Sequence, residues 1–274
     1  MTGKVELSMS EIKKNLHRIK GNKFLRDLCS ETNFTIAHFV QPLFTSELVD
    51  EKEKIEGLKD NFVMNIEDTI RQIDNDINSG VNNFLLFISS KSKSIDSFNL
   101  EYHQKVISSI KDRFRHDINL WTDVCLCSLT SHGHCCLFDA KGSIDLDKTL
   151  LEISSIALAY AEAGSDIIAP SDMMDGRTLR IRDTLDKSNF SMTPIVSYST
   201  KFSSNFYGPF RNAANSTPSF GDRKQYQLDY RNRSEAIRAS IRCAEEGADM
   251  LMVKPGMTSI DLIRDNKSKT GLMV

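Results

Sequence analysis

The sequence predicts an α/β protein folded as a (β/α)8 TIM barrel, and three observations carry that expectation. Short apolar runs alternate with longer amphipathic stretches. Two of those stretches close on a glycine just before the next run, as helices do before a strand. The residues with chemistry all fall at or just past the C-terminal ends of runs. Alternation implies a parallel sheet, since each parallel crossover needs a helix. An open doubly wound sheet would satisfy it too, but barrels build their sites at the C-terminal ends of strands.

In chain order, residues 1–30 read as a polar N-terminal arm suited to subunit contacts, followed by a catalytic barrel domain over 31–274. A helix within the first 36 residues has Ile12, Leu16, Ile19, Phe24, Leu25 and Leu28 as its apolar positions. The predicted strands are Phe39–Phe44, Phe84–Ile88, Leu120–Cys127, Asp166–Ala169, Pro194–Tyr198 and Met250–Val253, and a seventh begins at Gly271–Val274. Helical stretches over 67–79, 101–115, 148–163 and 232–246 lie between them, and the last two stop at Gly164 and Gly247. With 40% hydrophobic and 26% charged residues among 274, the chain has material for a sizeable core.

A net charge of -2 argues against general nucleic-acid binding, which needs a basic surface to displace counterions. No apolar run of about 18 residues is present, so no membrane span is expected. Met1–Lys20 lacks the apolar centre of a secretory signal, and the expected location is the cytoplasm.

Of six cysteines, Cys29 and Cys243 stand alone and read as small residues packed on helices. Cys125, Cys127, Cys135 and Cys136 cluster, which in a large chain without a signal points to metal binding or catalysis rather than a disulfide framework. In an extended strand Cys125 and Cys127 share a face, and a turn at Gly133 would return Cys135 beside them. Three thiolates favour zinc over magnesium and leave a fourth position open. A trio of buried thiols without metal is the competing reading. His132 and His134 are either further ligands or groups that orient the turn.

Lys201 and Lys254 each end an apolar run. A lysine held away from water or near another cation loses proton affinity and attacks a ketone as the free amine. Snorkelling to solvent is the alternative for each. Between them, Asn205–Arg211 and Phe220–Tyr226 mix aromatics with glycine, as a lid would, and Arg211 and Arg223 suit bidentate grip of carboxylates. Asp172 and Asp175 follow a strand as acid/base groups or as turn and cap residues.

Together these segments resemble the porphobilinogen synthase (5-aminolevulinate dehydratase) family from about residue 24 to the last residue. The matching pieces are Gln41–Phe44, Asp123–Cys127 with Thr130–Cys135, Ala169–Arg177, Ser197–Phe202, Phe206–Arg211, Phe220–Arg223 and Gly247–Pro255. The resemblance implies condensation of two 5-aminolevulinate molecules to porphobilinogen, with Schiff bases at Lys254 and Lys201. It implies that Arg211, Arg223 and Gln227 hold one carboxylate, and that Asp123 and Ser171 border the other substrate's amino group. Cys125, Cys127 and Cys135 match the zinc-dependent branch. It further implies a homo-oligomer, commonly an octamer, whose N-terminal arms wrap neighbours.

Four departures accompany the match. Ser128-Leu129 replaces a usual aromatic, and Cys136 a common glycine. Ala239 stands where several members carry a glutamate for an allosteric magnesium, and Arg242 resembles the arginine that substitutes for that ion, so no allosteric magnesium is expected. The family also continues past the position of Val274. On this reading the chain is truncated within the barrel, and the alternative function is a non-catalytic member assembling with full-length subunits. A class I aldolase on the same barrel would explain one lysine but not the cysteine trio.

Overall fold

The computed structural model of the protein describes residues 17–274; Ile12 and Leu16 of the first predicted helix lie outside the described residues. The chain divides into two compact units at His38/Phe39. In the first, α1 (Lys23–Leu28) starts at Asn22, whose side chain accepts the Leu25 N–H at 3.0 Å. Phe24 and Leu28 share one face of this helix and are exposed, and Cys29 at its end is exposed rather than packed.

The second unit contains β1 (Val40–Ser46), the short β2 (Glu53–Lys54) and β3 (Phe62–Met64), and then α2 (Ile66–Asn78), β4 (Asn83–Ser89) and α3 (Glu101–Phe114). β5 (Asn119–Val124), α4 (Leu146–Glu162), β6 (Ile167–Pro170), α5 (Arg177–Lys187) and β7 (Val196–Lys201) follow. The last elements are α6 (Gly208–Ala213), α7 (Arg233–Glu245), β8 (Met250–Lys254) and α8 (Ile260–Thr270). β1, β4, β5 and β6 pair in parallel, a parallel bridge joins Ile168 to Ile195 just before β7, and β7 pairs in parallel with β8. A further parallel bridge, Met250 to Met273, adds the last predicted strand beside β8. Strands neighbouring in chain order, each joined by a helix, are the wall of a (β/α)8 barrel.

Local chemistry fixes these elements. Asn65 and Asp145 cap α2 and α4 by accepting the Asp68 and Lys148 N–H groups at 2.8 and 3.1 Å. α4 and α7 stop at Gly164 and Gly247, both with positive φ, as expected from the sequence. The aspartate two residues beyond each glycine then clamps the neighbouring strand: Asp166 accepts the Leu120 N–H and Asp249 the Ile195 N–H, both at 2.8 Å. Asp166 also takes an ion pair from Lys111 of α3 at 2.7 Å.

Alternation along the strands divides the core. Phe84, Leu86, Leu120 and Ile168 face the helices and pack with Ile73, Ile107, Ile153 and Ile181. Leu85, Trp121, Ile167, Ala169, Val196 and Tyr198 form a separate cluster on the opposite face of the strands, with Phe87, Met250 and Met252 against it. Along β4, β5, β6 and β8, this second face is apolar at the start of each strand. By the period of two, its next positions toward the C-terminal ends are Phe87, Asp123, Ser171 and Lys254.

β7 reaches that face by an irregularity. Its register against β8 runs Val196 to Met250 and Ser197 to Leu251, then shifts so that Thr200 meets Val253 and Lys201 meets Lys254. The extra residue is a β-bulge, which re-aims the strand's end. Without it, Thr200 would follow Tyr198 on the inner face. Instead Thr200 faces outward, 3.0 Å from the Ser240 hydroxyl of α7 and 3.1 Å from Asn266 of α8, and Lys201 turns inward.

Candidate active site

The two lysines leave adjacent strands at paired positions, inside one buried site. Lys201 is 6% exposed and its Nζ donates to the Ser171 carbonyl at 2.6 Å. Lys254 keeps partial exposure, and its Nζ lies over four rings: Phe210 at 4.6 Å, Tyr198 at 5.5 Å, Tyr207 at 5.6 Å and Phe87 at 5.7 Å from the centroids. Tyr198 is shared, lying 5.5 Å from the Lys201 Nζ as well. The Tyr207 hydroxyl donates to the Lys254 carbonyl at 2.8 Å, which ties the loop after β7 to the end of β8.

Burial, followed by the neighbouring Lys201 charge, pushes the Lys254 ammonium down to about 8. Ring faces pull the other way, because they attract a cation by about 0.5–2 kcal/mol each. Loss of water around the buried ammonium, with the Lys201 charge beside it, drives the shift downward. Asp123 is pushed up to about 6 by burial, a rise that Lys201 moderates. The Ser171 hydroxyl also contacts this carboxylate.

Two arginines and a glutamine add polar groups near the rings. Arg223 is buried, with Nη2 donating to the Gly133 carbonyl at 2.9 Å and to the Ser216 carbonyl. Arg211 rises from α6 with its guanidinium over the Tyr207 ring at 5.8 Å, and burial followed by the Arg223 charge lowers its proton affinity. Among the described residues, Arg211 Nε, Arg223 Nε, Asp123 Oδ1, the Tyr198 hydroxyl and both amide atoms of Gln227 are buried without a hydrogen-bond partner. Two guanidiniums and a primary amide with unused donors suit an anionic, polar ligand.

The cysteine segment departs from the strand expected over Leu120–Cys127. β5 ends at Val124, and Leu126–Ser128 form a 3-10 turn, so strand alternation does not align the thiols. They converge through the turn instead: the sulfurs of Cys125, Cys127 and Cys135 are buried and lie within 4.8 Å of one another. A tetrahedral ion with metal–sulfur bonds near 2.3 Å holds its sulfurs about 3.8 Å apart, so the trio fits a metal with small adjustment. Hydrogen bonds from Cys125 and Cys135 pull the Cys127 thiol well below its usual range, and Arg223 and Lys201 add to the effect. Burial pushes Cys125 well up. Cys136 points away from the trio into the main core, and Cys243 is buried on α7.

The histidines orient the turn. His134 spends both ring nitrogens on Tyr226 Oη at 3.0 Å and the Phe220 carbonyl at 2.9 Å, and His132 Nδ1 accepts the His134 N–H at 3.1 Å. Among the described residues, the cysteine trio is the one group of three or more side chains that could hold a metal. Asp172 is fully buried, accepts the Met174 N–H at 2.7 Å and lies 3.5 Å from Arg177, which in turn donates to the Tyr198 carbonyl; this is a strand support and not a free acid. Asp175 is an exposed partner of Arg242 at 2.7 Å. Sequence reasoning missed the rings around Lys254. Tyr207 and Phe210 lay within the predicted lid, while Phe87 had only its period-two position in β4 as a signal.

The delta-aminolevulinic acid dehydratase family matches residues 13–274. The chain belongs to this family. The family enzyme of Helicobacter pylori is 39% identical over 262 residues, covering 94% of this chain and 80% of that protein. The Archaeoglobus fulgidus dehydratase is 41% identical over 244 residues, covering 88% of this chain and 75% of that one. Among solved structures, delta-aminolevulinic acid dehydratase (porphobilinogen synthase) of Toxoplasma gondii, in complex with the reaction product porphobilinogen, superposes with a TM-score of 0.90 at 34% identity. That match covers 95% of this chain and 76% of the Toxoplasma chain, and supports the barrel assignment. No helix of the described residues is long and apolar enough to cross a membrane.

Proposed function

We propose that this chain is a hydro-lyase of heme and other tetrapyrrole biosynthesis, which condenses two 5-aminolevulinate molecules to porphobilinogen with loss of two waters. The observation that carries the reading is the pairing of Lys201 with Lys254 at the ends of β7 and β8, inside one site with the thiol trio. Both substrates are ketones, and each lysine forms a Schiff base with one of them, expelling one water. Lys254, with its lowered proton affinity, supplies a more readily freed amine than an ordinary lysine. Lys201 holds the second substrate, and Asp123 and Ser171 border the amino group of the substrate on Lys254. Arg211, Arg223 and Gln227 grip a substrate carboxylate, a role supported by their unused buried polar atoms.

Cys125, Cys127 and Cys135 would hold zinc, a soft ion that a three-thiolate set prefers and that retains an open position. When bound, zinc supplies Lewis-acid polarisation of a substrate or water oxygen. The reading also includes a cytoplasmic homo-oligomer, an octamer, with residues 1–30 as the arm between subunits. Exposed Phe24 and Leu28 on one face of α1 support such a contact.

The test is turnover. The chain, loaded with zinc and given 5-aminolevulinate, is expected to form the pyrrole, and Lys254→Ala is expected to abolish it. A zinc-loaded, folded protein that leaves 5-aminolevulinate unchanged would refute the reading.

A further inference from the structure

The cysteine turn and the loop above the site are joined at more points than ligand placement alone requires. Gly133 has φ +70°, and a Cβ there would lie 2.4 Å from the Thr217 carbonyl oxygen and 2.9 Å from its carbon. The backbone of the loop therefore rests directly on the turn, and only glycine permits the approach. Around this point the Ser219 N–H donates to the His132 carbonyl at 3.0 Å, and Arg223 donates to the Gly133 carbonyl at 2.9 Å. The Ser216 N–H then donates to the Arg211 carbonyl at 2.9 Å, so both arginines hang from this seam.

The hydrogen-bond directions at His134 are fixed by its partners. The Phe220 carbonyl only accepts, so His134 Nε2 carries the proton and donates. In the neutral ring Nδ1 then accepts, with the Tyr226 hydroxyl as the donor at 3.0 Å. The same hydroxyl oxygen accepts the Cys135 N–H at 3.4 Å. An unbroken chain thus runs from the Cys135 backbone through Tyr226 and His134 to Phe220, three residues before Arg223. Phe220 also packs on the His134 ring at 4.6 Å between centroids.

We propose that the cysteine turn is the latch of the lid: Gly133, His134 and Tyr226 are positioning residues that convey the placement of Cys135 to Arg211 and Arg223. The inference rests on reading the trio as a metal site and the arginines as the carboxylate grip. It adds that metal occupancy tightens substrate binding, and by reciprocity that substrate tightens metal binding.

Hydrogen exchange of the full chain, followed by peptide, reads the latch without relying on turnover. Chelation is expected to speed exchange over residues 205–223 while the peptides of β4 and β5 stay protected. Tyr226→Phe is expected to speed lid exchange about tenfold, the scale of one lost buried hydrogen bond, and Gly133→Ala, whose added Cβ forces the loop off the turn, at least as much, both with zinc still bound. Both are expected to raise KM for 5-aminolevulinate more than they lower kcat. His134→Gln, which keeps a donor for the Phe220 carbonyl, is expected to retain more lid protection than His134→Ala. Unchanged lid exchange in both Tyr226→Phe and Gly133→Ala, or an equal rise across the whole barrel, would overturn the latch. Failure to bind zinc would instead count against the metal reading, and the two variants would still decide the latch.

Discussion

Lys201 and Lys254 occupy paired positions on neighbouring strands and share Tyr198 and Asp123, yet the rest of their surroundings differ. Lys201 donates to a main-chain carbonyl, whereas Lys254 lies among four aromatic faces. Register alone would make the two amines equivalent; the neighbours supplied by β4, β5 and the segment after β7 make them different. With its proton affinity lowered to about 8, Lys254 is free amine at pH 7 roughly 300-fold more often than an ordinary lysine. Two lysines at paired positions thus differ by what each strand end faces.

The largest effect should come from removing the amines in turn. Lys254→Ala is expected to cut turnover on the order of 10⁴-fold or more, the scale of losing a covalent nucleophile. Lys201→Ala should cut it comparably but leave a borohydride-reducible adduct at Lys254, measured by peptide mass. Equal loss of adducts in both variants would erase the distinction drawn between the two sites.

Metal removal comes next. Chelation, or Cys127→Ser, should lower turnover on the order of 10²–10³-fold, matching a few kcal/mol of charge stabilisation. Zinc and not magnesium should restore the chelated enzyme, because the donors are thiols. Restoration by magnesium alone would contradict the zinc assignment.

Smaller shifts separate the causes acting on Lys254. Its ammonium form dominates below about pH 8 and its amine above, so trapping at Lys254 should rise with pH through that point and then level. In Lys201→Met the repelling charge is gone, the proton is held more tightly, and the midpoint should move up. Each unit of such a shift lowers the amine fraction at pH 7 about tenfold. Phe210→Leu keeps the site dry but removes the nearest ring face, worth about 0.5–1 kcal/mol to the cation, so its midpoint should move slightly down. A Phe210→Leu midpoint that rises would show that water, and not the ring face, had been altered.

Much of this arrangement was legible in the residues. Apolar runs located the strands, and Gly164 and Gly247 marked the helix ends. Lysines and cysteines at the run ends located the site. Alternation fails where a strand stops being regular, which is why two features escaped it. The bulge that turns Lys201 inward depends on how β7 pairs with β8, and nothing local in Tyr198–Lys201 announces it. The run Leu120–Cys127 reads as one strand, yet the chain leaves the sheet after Val124, and a turn brings the thiols together. Phe87 was unreadable for another reason: a phenylalanine in a strand has no sign that it faces a lysine rather than a leucine.

Borohydride reduction during exposure to 5-aminolevulinate, with peptide mass analysis, tests the two-lysine account most directly. The account predicts covalent substrate mass at Lys254, with a second adduct at Lys201, and none at exposed lysines such as Lys224. Adducts confined to surface lysines, or absent from a folded, zinc-loaded protein, would contradict it.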